Sequence, residues 1–247
     1  MTKIRVMSEN LANKIAAGEV VEKCASVLKE LVENSIDAGA NNIKVVLRDG
    51  GLKEISVIDN GVGMDREDAT LAFYRHATSK IYKDDDLYFI ETLGFRGEAL
   101  ASIASVSEVE LITCNKNVGT FVHIKGGETL SVSDASLRVG TEIHVTNLFY
   151  NTPARLKYLK SEATELNNCT SFIEKLALSK PNIAFSLSNN GKMIVKTSGS
   201  NNLLKTIHEI YGLNVSSNML ELKCSSDDFS VSGFVSKPSI LKLSLIH

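Results

Sequence analysis

Three polar residues of one predicted helix have the types and spacing that could do chemistry on a bound ligand. Glu30, Asn34 and Asp37 follow one another at intervals of four and three residues. At 3.6 residues per turn, their side chains lie within about 60° of one another. An amide oxygen is a hard, neutral ligand for Mg²⁺, and a carboxylate one turn away could take a proton from an attacking water. Spacing alone favours a solvated helix face, with a catalytic and metal-binding face as the alternative.

A second candidate is the aspartate that ends a predicted strand. Asp59 is followed by Asn60 and by glycines at 61 and 63. Its carboxylate could accept a hydrogen bond from a ligand amino group, and the glycines would let the backbone approach a flat ring. The same residue types are typical of an ordinary turn, so the segment alone is compatible with either interpretation.

A third candidate is a loop enclosed by glycines. Gly94 and Gly97 flank Phe95 and Arg96 directly before a predicted helix whose first turn begins at Glu98. The free N–H groups at the start of a helix bind phosphate well, and the glycines would let the loop move as a lid. A flexible connector explains the same pattern equally well.

A polar segment from His76 to Lys80 adds two hydroxyls and a cation, and we expect His76 itself to be structural. The sequence contains no G-x-x-x-x-G-K-[ST] phosphate loop and no G-x-G-x-x-G dinucleotide turn. Because these two motifs are the common Gly-rich nucleotide cradles, any nucleotide site in this chain must be of another kind.

Composition excludes several other classes of protein. The 247 residues are 43% hydrophobic, which is enough for a large core, and the formal charge of -2 excludes a strongly basic nucleic-acid wrapper. The cysteines are far apart and form no C-x-x-C pair, which argues against a zinc site and a disulfide framework. They are Cys24, Cys114, Cys169 and Cys224.

Hydrophobic segments give an expectation about location. The first residues lack the apolar core of a signal peptide, and no run reaches the roughly 18 apolar residues of a transmembrane helix. We therefore expect a soluble cytoplasmic protein without a membrane partner, associated with the nucleoid in a bacterium or nuclear in a eukaryote.

The elements that must position these candidates are readable from periodicity. A helical region from Ile15 to Asp37 carries the polar stripe, and Asp65 is expected to cap a helix that runs to about Tyr74. Further helices are predicted at 98–105, 161–180 and 203–211, and strands at 43–48, 54–58, 108–114, 120–125, 142–146, 183–187, 193–196 and 229–236. Runs of strands without strict βαβ alternation favour an α+β layered sandwich.

The same pattern predicts two domains of unequal size. Residues 1–200 form the first, a sandwich of a mixed, mostly antiparallel sheet against helices. Residues 201–247 carry one helix and one clear strand, too little to bury a core of their own. We therefore expect 201–247 to be an incomplete second α+β domain.

Six blocks of residues occur in a distinctive order. They are IAAGEV at 15–20, KELVENSIDAGA at 29–40, DNGVG at 59–63, HATSK at 76–80, GFRGEAL at 94–100 and FYNTPAR at 149–155. Together they closely resemble the MutL family of DNA mismatch-repair ATPases, which belongs to the GHKL (Bergerat-fold) superfamily with gyrase B, Hsp90 and histidine kinases. The resemblance runs from about Met1 to Lys196, and the last two blocks point to MutL specifically.

The resemblance implies a site for ATP and Mg²⁺ and assigns roles by position. Glu30 matches the general base that activates water, and Asn34 matches the Mg²⁺ ligand. Asp59 matches the carboxylate that binds the adenine amino group, with Gly63 beside the base and the Thr141 hydroxyl supporting Asp59. The remaining residues expected at the nucleotide and its lid are Asp37, Thr78, Ser79, Lys80, Gly94, Gly97, Glu98, Ala99 and Leu100.

The resemblance also implies a cycle and partners. ATP binding would order the lid and join the N-terminal regions of two subunits as a homodimer, and hydrolysis would reverse this. The dimer would couple a MutS-like mismatch-recognition protein to a repair endonuclease or helicase. Contact with DNA would be weak and non-specific. Arg155, Lys157 and Lys160 could make such contact or form a solvated helix face.

Two departures from the family pattern bear on activity. Cys24 stands where many relatives have proline, which we expect to be tolerated. Relatives also supply a lysine to the γ-phosphate from the second domain and dimerise through a C-terminal domain, and neither is found in these 247 residues. Slow or impaired hydrolysis is therefore expected. The alternative is an ATP-binding module that switches conformation or docks partners without turnover, and a histidine-kinase domain is disfavoured.

Overall fold

The computed structural model describes residues 5, 7, 14, 15, 17, 18 and 20–240, except for 82, 90, 91, 95, 116, 117, 137 and 138 and the side chains of 84 and 87. Residues 16 and 19 of the first sequence block and Phe95 of the glycine-flanked loop therefore lie outside the described residues. Every predicted site residue lies within them.

One eight-stranded sheet organises most of the chain, with the spatial order β5-β4-β3-β6-β2-β1-β7-β8. The strands are β1 Asn42–Arg48, β2 Glu54–Asp59, β3 Glu108–Cys114, β4 Gly119–Lys125, β5 Glu128–Ala135, β6 Gly140–Thr146, β7 Ala184–Asn189 and β8 Lys192–Lys196. All neighbouring strands are antiparallel except β1 and β7, which pair in parallel.

Helices lie before, between and after these strands along the chain. They are α1 Cys24–Asp37, α2 Arg66–Leu71, α3 Ala99–Ser105, α4 Pro153–Leu156, α5 Glu162–Ser179, α6 Leu203–Tyr211 and α7 Leu213–Ser216. A separate antiparallel pair follows, β9 Met219–Ser225 and β10 Ser230–Ser236. No helix among the described residues has the length and apolar character needed to cross a membrane.

The core lies between the sheet and helices α1 and α5. In β1 the alternate residues Ile43, Val45 and Leu47 are fully buried, as the period-two geometry of a strand requires. In α1 the buried residues Leu28 and Val32 recur at helical spacing. This packing fixes α1 on the sheet and leaves its polar stripe on the other side.

The architecture confirms the predicted α+β class with a mostly antiparallel sheet. Some boundaries differ. The predicted helix from Ile15 to Asp37 is interrupted at residues 21–23, where Lys23 is extended with φ -155° and ψ 171°. The periodic spacing concealed this break because Val21 within it and Cys24 directly after it are both fully buried. Helix α2 is capped by Asp65 as predicted, but it ends at Leu71 rather than at Tyr74.

Two strands were missed by sequence reasoning. β5 is an edge strand exposed along almost its whole length, and β9 is exposed likewise. Such strands need no clean alternation of apolar and polar residues, so period-two patterning does not reveal them. The domain boundary at residue 200 stays a prediction. Beyond it, Ile207 of α6 is 6% exposed and Glu209 accepts a hydrogen bond from the Ser198 backbone.

Candidate functional site

Helix α1 supplies the polar stripe that the sequence predicted. Glu30 and Asn34 are half-buried, and the Asp37 side chain is only 6% exposed. Among the described residues, the Glu30 carboxylate accepts no hydrogen bond and forms no ion pair. It is therefore available to take a proton.

Asp37 and Asn34 share one cation. The ammonium nitrogen of Lys80 lies 2.6 Å from Asp37 Oδ2 and 3.1 Å from Asn34 Oδ1. The Lys80 side chain is 19% exposed, so this is a largely buried ion pair. We name Asn34, Asp37, Lys80 and Gly94 the Lys80 cluster.

The loop that precedes α3 is attached to the same carboxylate. Leu93 donates its backbone N–H to Asp37 Oδ1 at 3.0 Å, and Gly94 donates to Asp37 Oδ2 at 3.2 Å. A Cβ added to Gly94 would lie 3.7 Å from Lys80 Nζ and 3.9 Å from Asn34 Oδ1. Asp37 thus joins the helix, the lysine and the start of the glycine-flanked loop.

The other end of that loop is fixed by the segment before Lys80. His76 donates its backbone N–H to the Gly97 carbonyl at 2.9 Å, and Arg75 donates to Glu98 Oε1 at 2.8 Å. Gly97 has φ +63°, and a Cβ there would lie 2.5 Å from the Ala77 carbonyl oxygen. The glycine is needed because the two loops pass so close to each other.

Four further predicted site residues lie around these loops. Thr78 accepts a hydrogen bond from the Lys80 backbone N–H at 3.2 Å, and Ser79 is exposed. Ala99 and Leu100 form the first turn of α3, directly after Glu98. All four therefore border the segment that runs from the polar loop to the start of α3.

Asp59 closes strand β2 and is 6% exposed. Ser35 of α1 donates its hydroxyl to Asp59 Oδ2 at 2.8 Å. Asp59 Oδ1 accepts the backbone N–H of Gly61 at 2.8 Å and that of Thr141 at 3.3 Å. Oriented donors on three elements hold this carboxylate in one position.

A buried hydroxyl pair extends this network. Thr113 of β3 and Thr141 of β6 exchange a hydrogen bond between their hydroxyls at 2.9 Å, and Thr113 also accepts the Met64 backbone N–H at 2.9 Å. Thr113 is 0% and Thr141 8% exposed. We name Asp59, Ser35, Thr113, Thr141 and Gly63 the Asp59 cluster.

The glycines after Asp59 are required by close backbone packing. Gly63 has φ +66°, and a Cβ there would overlap the Cys114 carbonyl. A Cβ on Gly61 would lie 2.8 Å from the Ala38 carbonyl oxygen and 3.1 Å from Asp59 Oδ1. The turn is therefore packed against the end of α1 and the end of β3.

Sequence reasoning missed Ser35 and Thr113. Ser35 lies one residue beyond Asn34 and is 4% exposed, so it belongs to the buried side of α1 rather than to the polar stripe. The sequence feature that could have identified Ser35 is a serine among the apolar residues of the buried helix face. Thr113 has no such feature, because a threonine in a strand is an ordinary residue.

The predicted basic cluster is only partly on the surface. Arg155 donates from its guanidinium to the Ile15 carbonyl oxygen at 3.4 Å and is half-buried, whereas Lys157 and Lys160 are exposed. Arg155 thus contacts the N-terminal segment of its own chain.

Ionisation of two groups in the helical layer is shifted by burial. Burial raises the pKa of Glu33 on α1, and the neighbouring carboxylates of Glu30 and Asp37 add to this while Lys29 and Lys80 oppose it. Burial raises the pKa of the Cys169 thiol to about 12. This thiol is therefore a poor nucleophile, as expected for a buried cysteine.

The amide oxygen of Asn34 already accepts a cationic group, so it suits a hard cation. Among the described residues, no group of three or more His, Cys, Asp and Glu side chains could hold a metal ion. A Mg²⁺ ion at Asn34 would therefore take further oxygen ligands from phosphate and water, as this ion commonly does in nucleotide sites.

Comparison with known proteins settles the family. Residues 22–148 match the family described as "Histidine kinase-, DNA gyrase B-, and HSP90-like ATPase". The chain is 50% identical over 246 residues to "DNA mismatch repair protein MutL" of Limosilactobacillus reuteri (strain DSM 20016), covering 99% of this chain and 37% of that protein. The chain belongs to the MutL family of these ATPases.

Other relatives and solved structures agree. The MutL of Lactobacillus acidophilus is 50% identical over 243 residues, and this chain spans 38% of its length. A structure described as "Crystal Structure of N terminal domain of a DNA repair protein" superposes with a TM-score of 0.79 at 29% identity, covering 95% of this chain and 75% of that one. "Aquifex aeolicus MutL ATPase domain complexed with ADP" gives 0.65 at 30% identity, covering 83% and 73%.

Proposed function

We propose that this chain binds ATP with Mg²⁺ between the Asp59 cluster and the Lys80 cluster and hydrolyses it slowly to ADP and phosphate. The observation that carries the proposal is the buried Asp59 carboxylate, which α1 holds through Ser35 while the same helix presents Glu30 and Asn34. Membership of an ATPase family supports the choice of nucleotide.

Asp59 is the group that we assign to the adenine. A carboxylate accepts hydrogen bonds and donates none, so it favours a ring that carries an amino group. The hydroxyl of Ser35 and two backbone N–H groups fix its orientation before any ligand arrives. Such preorganisation lowers the cost of binding.

Glu30 is the group that we assign to proton transfer. Its carboxylate lies one turn before Asn34 and would take a proton from the water that attacks the terminal phosphate. Asn34 Oδ1 would hold Mg²⁺, which neutralises phosphate charge when bound. Lys80, Thr78 and Ser79 would contact ribose or phosphate. A lid that includes Gly94, Gly97, Glu98, Ala99 and Leu100 would close over the phosphates and exclude water.

The wider role is inferred from relatives. Proteins of about 50% identity are named DNA mismatch repair protein MutL, and this chain spans 37–38% of their length. We propose that ATP orders the loop before α3 and favours an N-terminal homodimer. That dimer would act with a MutS-like mismatch-recognition protein, a repair endonuclease or helicase, and DNA held weakly through its phosphates.

Two measurements on the same preparation test the proposal. Calorimetry with ATP and Mg²⁺ should show binding, and phosphate release should show slow turnover. Glu30→Ala should keep ATP affinity while turnover falls by about 10²–10⁴-fold, because general-base catalysis typically contributes that much. Glu174→Ala, a half-exposed glutamate on α5, is the matched control.

The outcomes separate the alternatives. Turnover in Glu30→Ala equal to that of the unchanged chain would refute the assignment of the base. Binding without phosphate release in the unchanged chain would favour a nucleotide-dependent switch. Failure to bind ATP at all would refute the proposed function. Sedimentation with a non-hydrolysable ATP analogue tests dimer formation.

A further inference from the structure

We infer that Lys80 is an internal cation that occupies the metal-binding oxygen of Asn34 in the nucleotide-free protein, and that it must leave this oxygen before a divalent ion can bind. The inference rests on the proposed function only for the role of Asn34 as a metal ligand. It assigns Lys80 and Asp37 a function in controlling access to that ligand.

The contacts of Lys80 carry the inference. Its ammonium nitrogen lies 3.1 Å from Asn34 Oδ1 and 2.6 Å from Asp37 Oδ2, so one positive group bridges an amide oxygen and a carboxylate. These are two hard oxygen atoms of the kind that Mg²⁺ and Mn²⁺ select. The lysine ammonium therefore occupies the Asn34 oxygen that a divalent ion would need.

Burial strengthens the attraction between the Lys80 ammonium and the Asp37 carboxylate. Asp37 is 6% and Lys80 19% exposed, so solvent screens their attraction poorly. A divalent ion bound to Asn34 Oδ1 would lie close to the lysine ammonium, and two cations at that separation repel strongly in a half-buried site. Simultaneous occupancy is therefore disfavoured, and an arriving phosphate would provide the alternative partner for the ammonium.

Asp37 connects this exchange to the loop before α3. The carboxylate that neutralises Lys80 also accepts the backbone N–H groups of Leu93 and Gly94 at 3.0 and 3.2 Å. If Lys80 moves away, the Asp37 carboxylate keeps the hydrogen bonds from these two backbone N–H groups and loses the one from the lysine. Asp37 is thus a positioning residue, and its partners change when the lysine moves.

Manganese binding without nucleotide provides a direct test. The full chain is titrated with Mn²⁺, and the free ion is measured by electron paramagnetic resonance. In Lys80→Met, the buried Asp37 carboxylate and Asn34 Oδ1 lose their cation. We expect this variant to bind Mn²⁺ at least tenfold more tightly than the unchanged chain. Lys83→Met, an exposed lysine nearby, should leave Mn²⁺ affinity unchanged.

Three further variants make the result specific. Asn34→Ala added to Lys80→Met should abolish the gain, and Lys80→Arg should bind Mn²⁺ as weakly as the unchanged chain because it retains the charge. Lys80→Gln removes the charge but keeps a donor for Asp37, so it should show the gain even if Lys80→Met fails to fold by circular dichroism.

The inference is overturned if the folded neutral variants bind Mn²⁺ no more tightly than the unchanged chain, or if the gain survives Asn34→Ala. Because no nucleotide is present, this outcome is independent of ATP binding. A chain that binds ATP but fails the Mn²⁺ test keeps the proposed function and loses only this inference. A chain that passes it without binding ATP keeps the role of Lys80 and loses the proposed function.

Discussion

The Asp59 cluster and the Lys80 cluster both meet the last turn of helix α1 but consist of different groups. Around Asp59 the donors are neutral hydroxyls and backbone N–H groups, and Ser35, Asp59, Thr113 and Thr141 are 4%, 6%, 0% and 8% exposed. Around Lys80 an ammonium and a carboxylate meet a neutral amide oxygen, and two of the donors to the Asp37 carboxylate are backbone N–H groups of a loop. The lysine side chain is 19% exposed.

The difference teaches how one helix can serve two tasks. Donors supplied by sheet strands and a helix cannot move independently, so they suit the part of a ligand that is the same before and after reaction. A charged side chain on a loop can exchange partners when a more strongly charged group arrives. In the proposed function, the first cluster selects the base and the second responds to phosphate and metal.

The largest expected effect outside the proposed chemistry comes from Asp59→Ala. Loss of the carboxylate should weaken ATP binding by about 10–100-fold, since a hydrogen bond to a charged group is worth about 1.5–3 kcal/mol. Calorimetry measures this directly. Asp65→Ala, which removes only the cap of α2, is the control. Unchanged ATP affinity in Asp59→Ala would remove the base-selecting role of its cluster.

Gly63→Ala tests whether the Asp59 cluster is rigid because of backbone packing. The new Cβ would overlap the Cys114 carbonyl at a backbone φ of +66°. We expect a loss of about 1–3 kcal/mol in the free energy of unfolding. Gly191→Ala is the control, because Gly191 has φ +78° with nothing within 4 Å. Equal losses in urea denaturation would show that packing against Cys114 adds nothing.

Ser35→Ala should have a smaller effect on the same cluster. It removes the hydroxyl that donates to Asp59 Oδ2 at 2.8 Å and leaves the two backbone donors in place. One hydrogen bond of about 1 kcal/mol corresponds to roughly a fivefold loss of ATP affinity. Calorimetry checks this against Ser102→Ala, a buried serine of α3. A loss as large as that of Asp59→Ala would mean that Ser35 contacts the ligand itself.

Glu33→Gln removes a charge from helix α1 and should have the smallest effect, a slight change in the free energy of unfolding. Burial raises the pKa of Glu33, so its ionised form is disfavoured in the folded chain. Its contribution to stability is present at low pH and is lost as pH rises through the raised pKa. Glu33→Gln should therefore be slightly more stable than the unchanged chain at pH 7 and indistinguishable at pH 4. Urea denaturation at both pH values decides this, and the opposite order would contradict it.

Features of this fold that depend on residues close together in the sequence were predictable, whereas those that depend on contacts between distant segments were not. The polar stripe of α1, the hairpin of β1 and β2, and the Asp65 and Ser161 caps follow from spacing and turn residues within a few positions. The parallel pairing of β1 with β7 and the strands β5 and β9 were not predicted. Parallel pairing joins segments about 140 residues apart, and exposed strands lack the apolar alternation that marks a half-buried one.

The candidate site shows the same difference between features set by local sequence and features set by distant contacts. The family blocks indicated which residues matter, but contacts across the fold decide what each residue does. The family resemblance predicts Asp37 at the nucleotide, and this stays a prediction. In the structure its carboxylate contacts Lys80 and the Leu93–Gly94 backbone, more than forty positions away. Ser35 escaped prediction for a similar reason, since its partner Asp59 lies 24 positions along the chain.

The parallel pairing of β1 and β7 has a consequence for biosynthesis. Residues 42–47 pair with residues 184–189, so one side of β1 has no strand partner until a segment about 140 positions later has left the ribosome. Until then Ile43, Val45 and Leu47 belong to an open sheet edge, the type of surface on which nascent chains associate wrongly. Translation speed through the segment that encodes α5 and β7 therefore sets how long this edge stays unprotected.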